Sequence, residues 1–501
     1  MSTQQRRSPV DMSPEDFRAA GHQLVNRIAE HLSEIRNLPL TRSESPSQIR
    51  AVLGDSSLPV TGGVPDRLLS EAATLLFDHS LFNGHPGFWG YINASGAPIG
   101  ALADLLAAAV NPNVGAYALS PVATEMERQS VRWIAEMIGY PADCGGILVS
   151  GGNMANFVCF LAGRKAKTPW EIRTKGVAGE NKKLRVYCSS ETHTWVHKAA
   201  DLFGLGTDSI VWISVDGRLR MNVDALRNQI EADKRSGFVP LLVVGAAGTV
   251  GTGAVDPLQE IGSLCREHGV WFHVDGAYGA AAAVLPDASP DLKALRDADS
   301  VAVDPHKWLY VPFEAGCALV RNRQALLDAF SYRPPYYKFH DAEEEVTNFY
   351  EYGPQNSRGF RALKVWLTLR HAGRDGYVQM ISDDIRLSQE LYKAVQEHPD
   401  LQPFTQELSI ATFRYAPRDL KRGESGIEEY LNRLNNKLLS RLQSSGKAYP
   451  SNTVVNGAFV LRVCITNFRT TLEDVQMLPE MVMRLGKEID AQMREKELHI
   501  G

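Results

Sequence analysis

Three side chains and one turn have types and positions that could do covalent chemistry together. Lys307 stands in the run Asp304-Pro305-His306-Lys307-Trp308, directly after the apolar stretch Val301-Ala302-Val303. A lysine is ordinarily a solvated surface group. Set among apolar and aromatic neighbours at a strand end, its amine is more readily neutral and so available as a nucleophile. Asp275 follows Trp271-Phe272-His273-Val274 and precedes Gly276-Ala277-Tyr278. An acid at a buried strand end is costly without a cationic partner. A capping or loop aspartate is the plain explanation, and a salt bridge to a protonated ring nitrogen is the functional one. His193, in Ser189-Ser190-Glu191-Thr192-His193-Thr194-Trp195, follows the apolar run 184–188. Its imidazole could cover a flat ring or simply close a polar turn.

The turn is Ser150-Gly151-Gly152-Asn153, between Ile147-Leu148-Val149 and a helical stretch with Phe157, Phe160 and Leu161 on its apolar face. Glycines let the backbone approach an anion, and a helix N-terminus aims free N–H groups at it. Taken alone, a tight turn with no ligand explains these residues as well. No Gly-Lys-Ser/Thr follows, which disfavours a nucleotide P-loop. The four features together match what pyridoxal 5'-phosphate requires. That cofactor has a phosphate to anchor, a ring face to cover, a pyridinium nitrogen to pair and an aldehyde to capture, which assigns Lys307 to a Schiff base.

These residues need elements to hold them. Between about 146 and 320 short apolar runs alternate with helical ones: 147–149, then 184–188, the helical 223–235, Leu241-Leu242-Val243-Val244, the helical 258–268 and 270–274. That rhythm predicts an α/β domain with a mainly parallel sheet and helices on both faces. Such sheets bind ligands at the carboxyl ends of their strands, where all four features lie. Upstream, Ser13-Pro14-Glu15-Asp16 reads as a helix start. Phe17, Leu24, Val25, Ile28, Leu32 and Ile35 give that helix one apolar face, to cover its own core or a second subunit. Between Tyr332 and Ser357 the periodic pattern fails, and a polar segment of that length inside a compact chain is functional or disordered. An amphipathic helix resumes after Phe360, and Phe459-Val460-Leu461-Arg462-Val463 reads as a strand of a second unit. The expected organisation is an N-terminal helical segment over 1–85, a large domain over 86–379 containing a loop at about 331–357, and a small α+β domain over 380–501.

At 501 residues, 44% hydrophobic and 22% charged, the chain has the composition of a soluble globular protein and can bury a large core. A net charge of -5 gives no electrostatic reason to expect nucleic acid or an anionic membrane as partner. Six scattered cysteines with no Cys-x-x-Cys pair argue against a zinc site or a disulfide scaffold, so no metal is expected and a reducing, cytoplasmic setting is. The start MSTQQRRSPVDMS has no apolar core of a signal peptide. The run 99–110 is interrupted by Asp104 and is too short to span a bilayer, which needs about 20 apolar residues.

With these residues in view, the chain resembles the group II pyridoxal-phosphate-dependent amino-acid decarboxylases, which include the aromatic-L-amino-acid decarboxylases. The runs that carry the resemblance are His85-Pro86-Gly87-Phe88-Trp89-Gly90-Tyr91, Ser120-Pro121-Val122-Ala123-Thr124-Glu125, the Gly151-Gly152 turn, His273 to Tyr278, Asp304 to Trp308 and Arg462 to Thr470. The resemblance covers about residues 15 to 475. The resemblance implies a fold-type I transferase-like architecture. It also implies a homodimer with active sites at the subunit interface and the N-terminal segment packed across it. Lys307 then resembles the Schiff-base lysine, Asp275 the pyridinium partner and His193 the histidine stacked on the ring, with Ala277 on the opposite face. Gly152 and Asn153 correspond to the phosphate turn, and Thr249 and His306 to further cofactor contacts. The family often has Ser where Asn153 stands; backbone N–H binding survives that change, and a hydroxyl contact does not.

Tyr91 resembles a substrate-pocket residue, and Arg358 is expected near the substrate. Pro334-Pro335-Tyr336-Tyr337-Lys338 looks like the family's mobile catalytic loop, with Tyr336 as the acid that protonates the substrate carbon. Related aldehyde synthases commonly replace that tyrosine or the stacking histidine, and both are retained here. The implied activity is decarboxylation of an L-amino acid, expected to be aromatic, to its amine. Ile92-Asn93-Ala94 departs from the bulkier, less polar run of the aromatic-acting relatives, and the resemblance implies that a partner chain contributes to the pocket near 111–120. The alternatives are oxidative decarboxylation-deamination to an aldehyde, decarboxylation of an acidic amino acid, transamination, and a catalytically silent cofactor-binding protein.

Overall fold

The computed structural model describes residues 8–333, 346–420 and 423–498. Eleven strands are found among them: β1 Gly145–Val149, β2 Leu184–Ser189, β3 Ile210–Ile213, β4 Val239–Ala246, β5 Trp271–Asp275, β6 Ser300–Val303, β7 Gly316–Val320, β8 Leu401–Glu407, β9 Ile410–Tyr415, β10 Ser451–Val455 and β11 Ala458–Cys464. The first seven form one sheet in the order β1-β7-β6-β5-β4-β2-β3. Neighbours from β6 through β3 are parallel, and β7 runs antiparallel to both β6 and β1. The remaining four make a smaller antiparallel sheet, β10-β11-β9-β8. The expected α/β class with a mainly parallel sheet is what the chain adopts.

Side-chain alternation explains why the large sheet is apolar on both sides. Val243, Phe272, Val301 and Val303 enter one hydrophobic cluster, while their neighbours Leu242, Val244, Trp271 and Ala302 enter another. Successive residues of a strand point to opposite faces, so a strand covered by helices on both sides reads as a continuous apolar run. A third cluster, with Phe413, Leu461, Val463, Leu434 and Leu438, belongs to the small sheet and its helices. The expected boundary at 379/380 falls inside the helix Ala362–Glu397, which leaves helical geometry at Gly373 (φ 65°) and carries the chain from the large sheet to the small one. The N-terminal helix Pro14–Glu34 begins as read, with the Ser13 hydroxyl accepting from the Asp16 N–H.

Two buried carboxylates lock the frame around the strand ends. Glu127, on the helix Pro121–Met137, accepts from the Leu148 N–H at 2.9 Å and from Arg358 Nη1 at 3.1 Å. Arg358 also donates to the carbonyls of Val114 (2.9 Å) and Leu148 (2.6 Å), so one ion pair ties three segments to β1. Asp384, on the long helix, accepts from Trp308 Nε1 at 2.8 Å and from the Tyr310 hydroxyl, which anchors the residues just after Lys307. Burial pushes the Asp384 carboxyl up to about 7.

Both locks have measurable consequences. Arg358→Leu leaves Glu127 buried without its cation and should lower stability by about 3–5 kcal/mol in denaturant unfolding, with the KM of the folded fraction unchanged. A raised KM at unchanged stability would return Arg358 to the substrate. For Asp384, the folded state retains a proton that the unfolded state has lost between its ordinary value and about pH 7. Stability is therefore lost as pH rises through that window. Asp384→Asn keeps an acceptor without the charge, so its Tm should gain several degrees on the parent between pH 5 and pH 8. A difference that does not vary with pH would refute the assignment.

Candidate active site

The carboxyl ends of β1, β2, β4, β5 and β6 open into one cavity of about 460 Å³. Its lining includes Gly152, Asn153, His193, Thr249, Asp275, Ala277, His306, Lys307 and Tyr91, so nine of the expected site residues converge on one space. A cavity of this size holds a cofactor and a small substrate. The convergence follows from topology, because parallel strands deliver their following loops to the same edge.

The geometry of the turn fits a phosphate. Gly151 adopts φ 147°, where side chains are strained, and a Cβ on Gly152 would stand 2.6 Å from Asp304 Oδ2. Only glycines allow the backbone this close, and they open the helix Gly152–Lys167 with its free N–H groups at the cavity wall. Lys307 Nζ lies 3.0 Å from Asp304 Oδ2, and the Asp304 side chain is only 2% exposed. Asp304 Oδ1 has no hydrogen-bond partner among the described residues. The lysine is thus held by an acid at the floor of the cavity, within reach of an aldehyde placed above the turn. Asp304 was quoted in the motif without a role, and its position three residues before Lys307 gives no sequence signal of the contact.

Asp275 is oriented from two sides. Its Oδ2 accepts from Trp195 Nε1 at 2.8 Å and its Oδ1 from the Ala277 N–H at 3.2 Å. Among the described residues no lysine or arginine pairs with it, which leaves the carboxylate suited to a cationic ring nitrogen. Behind it, His273 is buried, bridges Asn156 (2.7 Å) and Ser300 (2.9 Å), and meets the Trp195 ring edge-on. Burial pushes the His273 imidazole down to about 4, so it is a neutral spacer at physiological pH. Burial also lowers the pKa of His193 and of His306. A neutral imidazole at His193 covers a ring without repelling its positive charge. His306 accepts from the Ala315 N–H at 3.1 Å and fixes the turn that carries Lys307.

At the mouth, Tyr91 is held at φ 56°, a conformation unusual for a side chain of its size, and is 57% exposed. Arg462 Nη1 grips its carbonyl at 2.9 Å and Ser451 Oγ accepts from its N–H at 3.3 Å. Arg462 is itself buried, with no partner for Nη2 among the described residues, and it also donates to the Gly251 carbonyl at 3.2 Å. Arg358 does not join the site: it is absent from the lining, and Glu127 holds its guanidinium deep beside β1. The expectation that it lies near the substrate is corrected accordingly. Tyr336 lies outside the described residues. No group of side chains suited to a metal ion occurs among the described residues.

Comparison with known proteins places this geometry in a family. Residues 46–416 match the pyridoxal-dependent decarboxylase conserved domain. The chain is 34% identical over 484 residues to an aromatic-L-amino-acid decarboxylase of Bacillus atrophaeus, covering 96% of this chain and 97% of the relative. It is 33% identical to a histidine decarboxylase of Drosophila melanogaster over 93% of this chain and 54% of that one. Among solved structures it superposes on the TDC of Oryza sativa, crystallised with PLP and tryptamine, with a TM-score of 0.88 and 26% identity over 97% of this chain and 100% of that one. The chain belongs to the pyridoxal-phosphate-dependent amino-acid decarboxylases, group II carboxy-lyases.

Proposed function

We propose that the enzyme converts an aromatic L-amino acid to its amine and CO2. The observation that carries the substrate class is the charge of the cavity wall: among the described lining residues, Lys307 is the only lysine or arginine. An acidic side chain would find no cation there apart from the reacting lysine. Tyr91, Ile92, Met154 and Val250 instead offer flat or apolar surface, and an aromatic ring gains most from such contact.

When bound, pyridoxal phosphate supplies an aldehyde for the substrate amine and a ring that accepts the electrons left by CO2. The protein's residues do the rest. Gly152 and Asn153 would take the phosphate on backbone N–H groups, with Thr249 and His306 beside it. Asp275 would keep the ring nitrogen protonated, and His193 and Ala277 would confine the ring. Lys307 would hold the aldehyde until a substrate amine takes its place. Tyr336, outside the described residues, would return a proton to the substrate carbon.

We further infer a homodimer. Leu102, Leu105, Leu106 and Val110 on the helix Pro98–Val110, with Leu119 and Val122, are each more than half exposed, a patch that supports burial against a second copy. Among the described residues no helix is long and apolar enough to cross a membrane. All six cysteines are unpaired thiols, which supports a reducing cytoplasm.

Asp275→Ala removes one partner of a buried charge pair and should weaken cofactor binding at least a hundredfold in absorbance titrations; unaltered affinity would exclude its ring-nitrogen role. Assayed for CO2, amine and peroxide, the parent enzyme should give amine with CO2 one to one and little peroxide. Tyr336→Phe should slow amine release by about 10²–10⁴-fold and raise peroxide. Peroxide stoichiometric with CO2 in the parent would instead make it an aldehyde-forming enzyme.

A further inference from the structure

One acid in the cavity is used by none of the steps above. Glu191 follows β2 by two residues, lines the same cavity as Tyr91, Val250 and His193, and makes no hydrogen bond or ion pair with any described residue. Its Oε2 lies 3.5 Å from where a Cβ on Gly251 would stand, and Thr453 Oγ1 of β10 approaches the same point to 3.2 Å. Gly251 follows Val250 directly, so the carboxylate belongs to the cavity wall beside Val250. Two nearby cations are bound to other groups: Lys307 pairs with Asp304, and Arg462 donates to the carbonyls of Tyr91 and Gly251, with no partner for its Nη2 among the described residues. Partial burial raises the Glu191 pKa, the mark of a carboxylate short of water and of donors.

A partly desolvated acceptor facing a substrate space gains most from a donor the substrate brings. We propose that Glu191 is a specificity-determining residue that accepts a hydrogen bond from the far end of the substrate side chain. The enzyme then selects aromatic amino acids carrying a phenol, catechol, indole N–H or imidazole N–H over phenylalanine. This rests on the aromatic reading of the site and narrows it.

The test is kcat/KM from CO2 release for tyrosine, dopa, tryptophan, histidine, phenylalanine, aspartate and glutamate, with the holoenzyme, Glu191→Gln and Glu191→Leu. The parent should favour its best donor-bearing substrate over phenylalanine by about ten- to a hundredfold. Glu191→Leu should bring that ratio to within about twofold of one, and Glu191→Gln, which keeps shape and an acceptor, should fall between. Cofactor affinity should be unchanged in both variants, since the phosphate turn and Asp275 are intact. Aromatic turnover with the same ratio in all three proteins, or a parent that prefers phenylalanine, overturns the role of Glu191 alone. CO2 from aspartate or glutamate and from no aromatic amino acid overturns the reading beneath it.

Discussion

An amine that must meet an aldehyde at one point cannot be left on a freely rotating side chain, and the pairing of Lys307 with Asp304 answers that constraint. The two are 3.0 Å apart, with the acid almost wholly buried. A lysine loses several rotatable bonds' worth of freedom on being fixed, and an ion pair in a partly buried site supplies the compensation. The arrangement depends in turn on the backbone that bears it. Trp308 and Tyr310 hang from Asp384, Trp308 stacks on Tyr278 at 4.8 Å, and the Tyr278 hydroxyl reaches Ser409 at 2.7 Å in the small-sheet unit. The reactive lysine is therefore braced from both sheets.

Charge is distributed around the cavity with the same economy. Each acid near it has a distinct task set by its surroundings. Asp304 has an ammonium, Asp275 has an indole and a peptide N–H, and Glu191 has neither among the described residues. Of the three, only Asp304 has a lysine or arginine beside it among the described residues.

Much of this was legible in the chain because a parallel sheet writes its site locally: each functional residue follows an apolar run within a few positions. Lys307, Asp275, His193 and the Gly151-Gly152 turn stand out that way, and all of them line one cavity. What escaped was long-range. Nothing near Trp195 reveals that its indole meets Asp275 eighty positions later, and nothing near Arg358 reveals Glu127. An arginine beside a suspected loop invites a substrate role, whereas its burial and two carbonyl contacts make it a rivet. The expected domain edge at 379/380 lies within the helix Ala362–Glu397 for a related reason. A helix that serves two cores carries its apolar pattern straight through, and only the bend at Gly373 marks the passage. Glu191 was quoted within a motif and passed over, since exposure and lack of partners have no signature in a linear sequence.

The antiparallel insertion of β7 has a further consequence for how the molecule comes into being. β1, which leads into the Gly151-Gly152 turn, lies at the edge of the large sheet, and among the described residues β7 is its only neighbour there, with Gly145 opposite Val320. A nascent chain emerging from the ribosome can therefore complete β2 to β6 while β1 still has no strand to join. Docking of the turn waits for Gly316–Val320, and such distant pairings are slow because loop closure precedes their reward. The anion cradle therefore rests on the strand of its sheet that comes last in the chain.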